Sequence, residues 1–239
     1  MSGASPSKPP SARGKFIALE GPEGCGKSTQ AALLCRWLES LGKTVRLTRE
    51  PGGTALGQTI RTALLEPGQP PVSSRAELLL FLADRAQHVR EVILPALEAG
   101  HWVVTDRFSM STLAYQGIAG GIGLEFVGPM DDFAREGLWP NLTLVLDVPV
   151  EVGFARLGRR ALPSLPSQTS SHQEHAAPQA NDRIERRGRD FHERVRHALL
   201  ELAAPDPTAV VIDGSQPEEA VSQAVRAAVT ERLLAGQDD

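Results

Sequence analysis

Apolar positions along the chain fall into two alternating rhythms, one of strands and one of helices. Phe16, Ile17, Ala18 and Leu19 form a continuous apolar run, the mark of a strand buried on both faces, and it breaks at Gly21. Helical spacing resumes from Lys27, with Ala31, Leu34, Cys35 and Leu38 on one face and Gly42 placed to end it. Thr44 to Thr48 alternates Val45 and Leu47 with polar neighbours as a short strand, and Leu56, Ile60 and Leu64 mark a short helix. After a Pro/Gly loop from Glu66 to Val72, Ser74-x-x-Glu77 reads as a capping box that opens a long helix toward Ala99. Pro95 is expected to kink its last turn, and Gly100 to stop it. His101 to Thr105 is a third strand, leading straight into Asp106-Arg107. Residues 111–139 hold a helix start, a glycine-rich bend from Gly117 to Gly123 and another helix ending near Pro140. Leu142 to Leu146 is a fourth strand closed by Asp147, and Pro149 suits the first position of a helix reaching about Arg160. Asp182 to Leu202 reads as a basic, then amphipathic helix. Val210 to Ile212 form the last strand, and Ser215-x-x-Glu218 caps the C-terminal helix.

Five strands, each followed by a helix, make βα units. They predict an α/β fold: a five-stranded parallel sheet with helices on both faces, in three layers. Ligands of such sheets sit at the C-terminal ends of the strands. The chemically pointed residues fall there, in the loop after the first strand, at Arg49 after the second and at Asp106-Arg107 after the third.

Composition changes this picture in two places. Residues 1–13 are rich in Pro and Ser and lack an apolar core segment, so they read as a disordered tail and not as a signal peptide. Leu162 to Ala180 carries three prolines, four serines and three glutamines with almost nothing to bury, and reads as a flexible insertion. Residues 14–239 are then a single domain, with a lid region over about 153–190 that contains the insertion at 162–180. A net charge of −4 over 239 residues gives no general pull toward nucleic acid or anionic membrane, so phosphate binding has to come from local arginines. Two cysteines without paired spacing suit reduced thiols in the cytoplasm, and no apolar run is long enough to span a bilayer.

Gly21 to Ser28 spells G-x-x-x-x-G-K-S between a strand and a helix. Glycines let such a loop wrap closely, so that backbone N–H groups converge on a polyphosphate. The helix N-terminus adds partial positive charge, Lys27 a full one, and the Ser28 hydroxyl is a ligand for Mg²⁺. Gly21, Pro22, Glu23, Gly24, Cys25, Gly26, Lys27, Ser28 and Thr29 are therefore the candidate ATP-binding set, and the fold expected is of the P-loop NTPase type.

Four segments carry a resemblance to the thymidylate kinase (dTMP kinase) family: E-G-P-E-G-C-G-K-S-T from Glu20, T-R-E-P-G-G-T from Thr48, A-E-L-L-L-F-L-A-D-R from Ala76 and D-R-F-S-M-S-T-L-A-Y-Q-G from Asp106. D-R-I-E from Asp182, with F-H-E-R-V-R after it, looks like the end of that family's lid. The resemblance covers roughly residues 15–235. It implies transfer of the ATP γ-phosphate to dTMP with Mg²⁺, giving ADP and dTDP, in a homodimer that needs no nucleic acid or membrane. In the same terms, Arg49 and Arg107 would clamp the acceptor's 5′-phosphate, since guanidinium forks fit phosphate oxygens. Phe81 would stack on thymine, and Arg85, one helical turn on, would reach a base carbonyl or the phosphate. Tyr115 matches the aromatic beneath the deoxyribose that excludes a ribose 2′-hydroxyl, and Thr112 and Gln116 match positions near the pyrimidine edge. Glu23 matches an acid that accepts from the acceptor's 3′-hydroxyl.

Lys27, Arg107, Asp106 and Arg160 form the candidate catalytic set. Asp106 has three open readings: acting on Mg²⁺ through water, holding Arg107, or capping a turn. Gly24 stands where some members of the family carry an arginine, and in members of that kind a lid arginine supplies the missing charge. Arg160 leads the candidates here, followed by Arg156 and Arg159, while Arg183, Arg186 and Arg187 flank the insertion on its other side; a solvated basic face is the plain alternative. Two other functions fit parts of the pattern: a nucleoside monophosphate kinase of different acceptor, and a P-loop module that holds nucleotide without turnover. Arg49-Glu50-Pro51-Gly52-Gly53 together with Tyr115 argues against the first. Two acceptor-side arginines and a stacking phenylalanine argue against the second.

Overall fold

The computed structural model describes residues 13–160 and 182–235. Apart from Arg13, the expected tail at 1–13 and the insertion at 162–180 lie outside the described residues. The strands are β1 (Phe16–Glu20), β2 (Val45–Arg49), β3 (Trp102–Asp106), β4 (Leu142–Asp147) and β5 (Ala209–Asp213). The helices in the first half are α1 (Lys27–Ser40), α2 (Ala55–Leu65), α3 (Ser74–His88), α4 (Leu94–Glu98) and α5 (Ser109–Thr112). They are followed by α6 (Leu124–Arg135), α7 (Val150–Arg160), α8 (Arg189–Ala203) and α9 (Glu218–Val229). The strands form one all-parallel sheet in the order β2-β3-β1-β4-β5, as the βα alternation predicts.

The three central strands are buried on both faces, and period-two alternation sorts their side chains. Ile17, Leu19, Val104, Leu142, Leu144 and Leu146 pack with α1 and α9 on one face. Phe16, Ala18 and Val103 pack on the other with Val89, Ile93 and Leu97, while Val145 meets α2 and α8 there through Leu64, Val195 and Leu199. Strand order reverses around β1, with β3 on one side and β4 on the other. The loop that leaves β1 therefore opens at the topological switch point, where open α/β sheets leave a crevice.

Four local expectations are corrected. The cap of α3 is Ser73, whose Oγ accepts from Ala76 N at 3.4 Å, one residue before the expected Ser74. Glu77 is consequently free to turn inward. Pro95 produces no simple kink: a π-helical turn, Val89–Ile93, separates α3 from α4. Pro95 has no N–H to return to the carbonyl four residues back, and its ring crowds that carbonyl; a widened turn relieves both. Ser215 does not cap α9, which starts at Glu218, because its hydroxyl donates to Asp213 Oδ1 at 2.5 Å. The helix expected from Asp182 begins only at Arg189, since Asp182 Oδ1 accepts from the backbone N of Ile184 and of Glu185, both at 2.8 Å, and folds that stretch into a turn. Among the described residues no helix is long and apolar enough to cross a membrane.

Leu144 is fully buried at the centre of β4. Leu144→Ala is expected to lower unfolding free energy by about 3 kcal/mol, the usual cost of a core leucine-to-alanine cavity, read as a lower urea midpoint with an unchanged slope.

Candidate active site

The loop between β1 and α1 is shaped by its glycines. Gly26 has φ 96° and Gly24 φ 69°, both in the left-handed region that glycine enters without steric cost. Gly24 also touches the backbone of Gly153 in α7: a Cβ on Gly24 would stand 2.2 Å from Gly153 O, and one on Gly153 would stand 2.3 Å from Glu23 O. Loop and helix thus meet backbone to backbone. Lys27 is buried, and its Nζ donates to the carbonyls of Pro22 at 2.9 Å and Gly21 at 3.1 Å, which holds the ammonium over the loop. Ser28 Oγ donates to Asp106 Oδ2 at 2.5 Å, placing a hydroxyl and a carboxylate side by side.

Arg107 follows β3 with φ 73°, a left-handed backbone that costs a non-glycine residue about 1–2 kcal/mol. The strained residue is held by its N–H on Leu19 O at 2.9 Å and by a dense side-chain network. One guanidinium nitrogen donates to Glu23 Oε1 at 2.5 Å and to Tyr115 Oη at 3.1 Å; the other donates to Ser111 Oγ at 3.0 Å and to Gly21 O at 3.3 Å. Tyr115 in turn donates to Glu23 Oε1 at 2.9 Å. Burial alone would raise the Glu23 pKa, but the charges of Arg107 and Lys27 and the Tyr115 bond outweigh it and bring it down to about 2. Glu23 is therefore an anion whose Oε2 takes no protein donor among the described residues. Beneath this cluster, the buried carboxylate of Glu20 accepts from the backbone N of Phe108 and of Ser111 and from Ser111 Oγ, fixing the turn that carries Arg107.

A second arginine is set deeper. Arg85 of α3 is 2% exposed and donates to Glu50 Oε2 at 2.9 Å, to Thr112 Oγ1 at 2.9 Å and to Asp131 of α6. Burial disfavours its charge, yet Glu50 and Asp131 more than restore it and hold its pKa above the usual range. Glu50 is itself oriented by His88 Nδ1 at 2.8 Å, whose Nε2 meets Thr48 Oγ1 at 2.7 Å. The T-R-E-P-G-G-T segment is anchored further by Asp84, whose Oδ1 accepts from Gly52 N at 2.9 Å. Half-buried Phe81, four residues before Arg85 on the same helix, packs against the apolar cluster that includes Ile60, Leu64 and Tyr115 and lines the same cavity as Arg85. Gln116 is buried and donates to Glu77 Oε1 at 3.0 Å.

One cavity of about 840 Å³ runs from the phosphate loop to Arg85 and Gln116. Its walls include Glu23 through Thr29, Arg49, Phe81, Arg85, Asp106, Arg107, Thr112, Tyr115 and Gln116; Gly21 and Pro22 lie behind the loop surface, under Lys27. The side chains of Arg159 and Arg160 lie outside the described ones. Arg156 donates to the carbonyls of Gly214 at 2.8 Å and Ser215 at 3.2 Å, so its charge is used at the turn after β5.

Several wall residues escaped the sequence reading. Arg61 of α2 donates to Pro51 O at 3.0 Å, and its pKa is lowered by burial and then by the charge of Arg49 nearby. Its only signal was a basic residue on the helix directly after a glycine-rich turn. Gln30 of α1 and Gly214 to Glu218 line the loop's other flank, with Gln30 Nε2 donating to Glu218 O at 3.1 Å. Nothing in their spacing marks them, because the fold brings them together across 188 positions.

A phosphate loop at the switch point of a parallel sheet, opening into a cavity whose far wall carries arginines, defines a P-loop NTPase-type α/β protein. The family model described as "Thymidylate kinase" matches residues 19–225. A thymidylate kinase of Desulfovibrio desulfuricans is 46% identical over 215 residues, covering 90% of this chain and 94% of that protein. Thymidylate kinases of Carboxydothermus hydrogenoformans and Pelobacter propionicus are 45% and 44% identical, covering 87% and 92% of this chain and 93% and 96% of theirs. The chain belongs to the thymidylate kinase family.

Asp84 supplies a pH test of the frame. Burial first, and the charge of Glu50 second, raise its pKa from 3.8 to about 6; His88 and Arg85, which also face it, pull the other way. Between those values the folded chain binds a proton that the unfolded chain has released, so Asp84 contributes more stability as pH falls. From pH 7 to pH 5 the protein is expected to gain about 1 kcal/mol relative to Asp84→Asn, which cannot titrate. Urea midpoints of both proteins at the two pH values read the difference.

Proposed function

We propose that the protein transfers the γ-phosphoryl group of ATP to the 5′-phosphate of dTMP, giving ADP and dTDP. The observation that carries this reading is the Glu23–Arg107–Tyr115 cluster, which ties the phosphate loop directly to the acceptor half of one cavity. A protein that only hydrolysed or held a nucleoside triphosphate would have no use for an acid, an arginine and a tyrosine locked together beside its phosphate loop.

Phosphoryl transfer asks mainly for positioning and charge neutralisation. Gly24, Gly26 and the first turn of α1 offer backbone N–H groups to the triphosphate, and Lys27 can swing from its carbonyl partners to the phosphates. Gln30, Arg156 and the turn Gly214–Glu218 form the wall available to the ATP base. On the other side Arg49, Arg61 and Arg107 supply guanidinium groups for the acceptor phosphate. Phe81 gives the thymine a ring to stack on, and Arg85 and Thr112 give it polar partners. Glu23 Oε2 is an open acceptor for the sugar's 3′-hydroxyl, and the Tyr115 ring, held under Arg107 at 4.9 Å, fills the space a ribose 2′-hydroxyl would need. Arg160 ends α7 and is the charge we assign to the transferred group.

Ser28 and Asp106 suit Mg²⁺: both are hard oxygen donors, and among the described residues no set of three or more His, Cys, Asp or Glu could hold a metal unaided. A Mg²⁺ held by one or two protein oxygens plus water and phosphate fits that donor set. When bound, it neutralises developing charge on the phosphate oxygens. Two free cysteines suit a cytoplasmic setting.

A homodimer is part of the same reading. On α6, Phe126, Met130 and Phe133 recur at i, i+4 and i+7, with Phe126 63% and Phe133 86% exposed, and α3, packed beside it, adds exposed Leu79. Such a stripe is the kind of apolar patch that a second copy covers. Phe133→Asp is expected to shift sedimentation from dimer to monomer; a parent that already sediments as a monomer overturns the dimer.

The test of function is ADP release coupled to an indicator, with dTMP, dUMP, UMP and AMP as acceptors. Turnover is expected with dTMP above the others; turnover on AMP but not dTMP, or ATP loss without any acceptor, overturns the reading. Tyr115→Phe, which keeps the ring, is expected to preserve discrimination against UMP, whereas Tyr115→Ala is expected to relax it about tenfold or more.

A further inference from the structure

Glu77 takes no part in the chemistry above, yet it is among the most buried charged side chains, at 2% exposure, and both of its oxygens are occupied. Oε1 accepts from Gln116 Nε2 at 3.0 Å. Oε2 accepts from Arg183 Nη2 at 3.1 Å and from Arg187 Nη2 at 2.5 Å. The two arginines belong to the turn that precedes α8, which is also docked on α2 by Arg183 N on Leu65 O at 3.2 Å. They balance the carboxylate's charge in a place where water cannot.

The bond to Gln116 has a directional consequence. A primary amide can present either its N–H₂ end or its carbonyl to a neighbour, and the two ends are nearly the same size. A carboxylate has no proton to give, so it takes only the N–H₂ end and prevents the amide from turning over. The side-chain carbonyl of Gln116 then takes no donor from the protein among the described residues, while the residue lines the cavity on its acceptor half. Thymine and uracil carry an N3–H donor between two carbonyls; cytosine carries a bare N3 acceptor in the same place. A fixed carbonyl in the wall matches the first pattern and opposes the second.

We propose that Glu77 is a positioning residue that locks the Gln116 carboxamide with its oxygen toward the pyrimidine edge, and thereby selects acceptors whose base carries an N3–H donor. The inference rests on reading this half of the cavity as the dTMP site, and it adds to that reading a residue that acts without touching the nucleotide. Arg183 and Arg187 act through Glu77 by holding its carboxylate in place.

The test compares dTMP with dCMP as acceptor for the parent, Glu77→Gln and Phe81→Ala, with KM for ATP measured alongside. A glutamine at 77 can present either of its own ends, so Gln116 becomes free to turn over. The ratio of kcat/KM for dTMP over dCMP is expected to fall about tenfold in Glu77→Gln, the size of one well-made hydrogen bond between neutral groups. The fall should lie in KM for the acceptor, with KM for ATP unchanged, a split that general loosening of the fold would not produce. If Glu77→Gln does not fold, Arg183→Gln combined with Arg187→Gln reports on the same bond from the partly exposed side, and is expected to lower the same ratio. Phe81→Ala separates the two claims. If it raises KM for dTMP while neither Glu77→Gln nor the arginine pair moves the dTMP-to-dCMP ratio, Glu77 has no such role and the dTMP site stands. If no variant, Phe81→Ala included, moves KM for dTMP, the acceptor site itself is misplaced and the inference goes with it.

Discussion

The contact between Arg107 and Glu23 is the constraint on which the rest of the site depends. One residue follows β3 and the other sits in the loop after β1, so the pair closes the switch point of the sheet from both sides. It is strong because it is sheltered: the side chains are 17% and 15% exposed, and a carboxylate pulled down to about 2 faces a guanidinium that burial has not neutralised. It also explains the left-handed backbone of Arg107. That strain is tolerable only where several bonds fix the residue, and here four acceptors, Glu23, Tyr115, Ser111 and Gly21, do so.

A second layer of buried carboxylates extends the same logic. Glu20, Glu50, Glu77 and Asp131 are each at most 5% exposed, and each is bonded to groups that line the cavity or to the turn that carries them. An anion placed so deeply is stable only with its oxygens satisfied, and satisfying them fixes the arginines and amides on the other end. The chain's modest net charge of −4 conceals this arrangement, because acids inside offset the cations of the cavity wall.

Most of the fold was legible in the sequence because the central strands, buried on both faces, read as short apolar runs and the edge strand β2 as an apolar–polar alternation, so each of the five lies within a residue or two of its expected ends. The phosphate loop was legible because its chemistry is local: glycines, Lys27 and Ser28 act within eight residues of one another. What the sequence hid depends on distance. Arg61 and Gln30 look like ordinary helix-surface residues until the fold sets them in one wall, and Glu77, expected to close a capping box, instead turns inward to Gln116 and to two arginines more than a hundred positions away, while Ser73 caps the helix. Arg156 is another case. It stands beside the insertion in sequence, and the fold ties its guanidinium to carbonyls of the turn after β5 in the wall of the same cavity, a partnership that no local spacing announces.

The meeting of Gly24 with Gly153 has a consequence for how this enzyme can vary. With no side chain on either partner, the two peptide planes rest on one another as a bearing, and a methyl group on either would act as a wedge. The loop and α7 therefore form one mechanical unit: a displacement of either has to be followed by the other. A chain built this way cannot acquire an arginine at position 24 by a single substitution, because the newcomer would first have to prise α7 away. Giving up side chains on both partners of the bearing thus closes position 24 to any charged side chain for which α7 does not move aside.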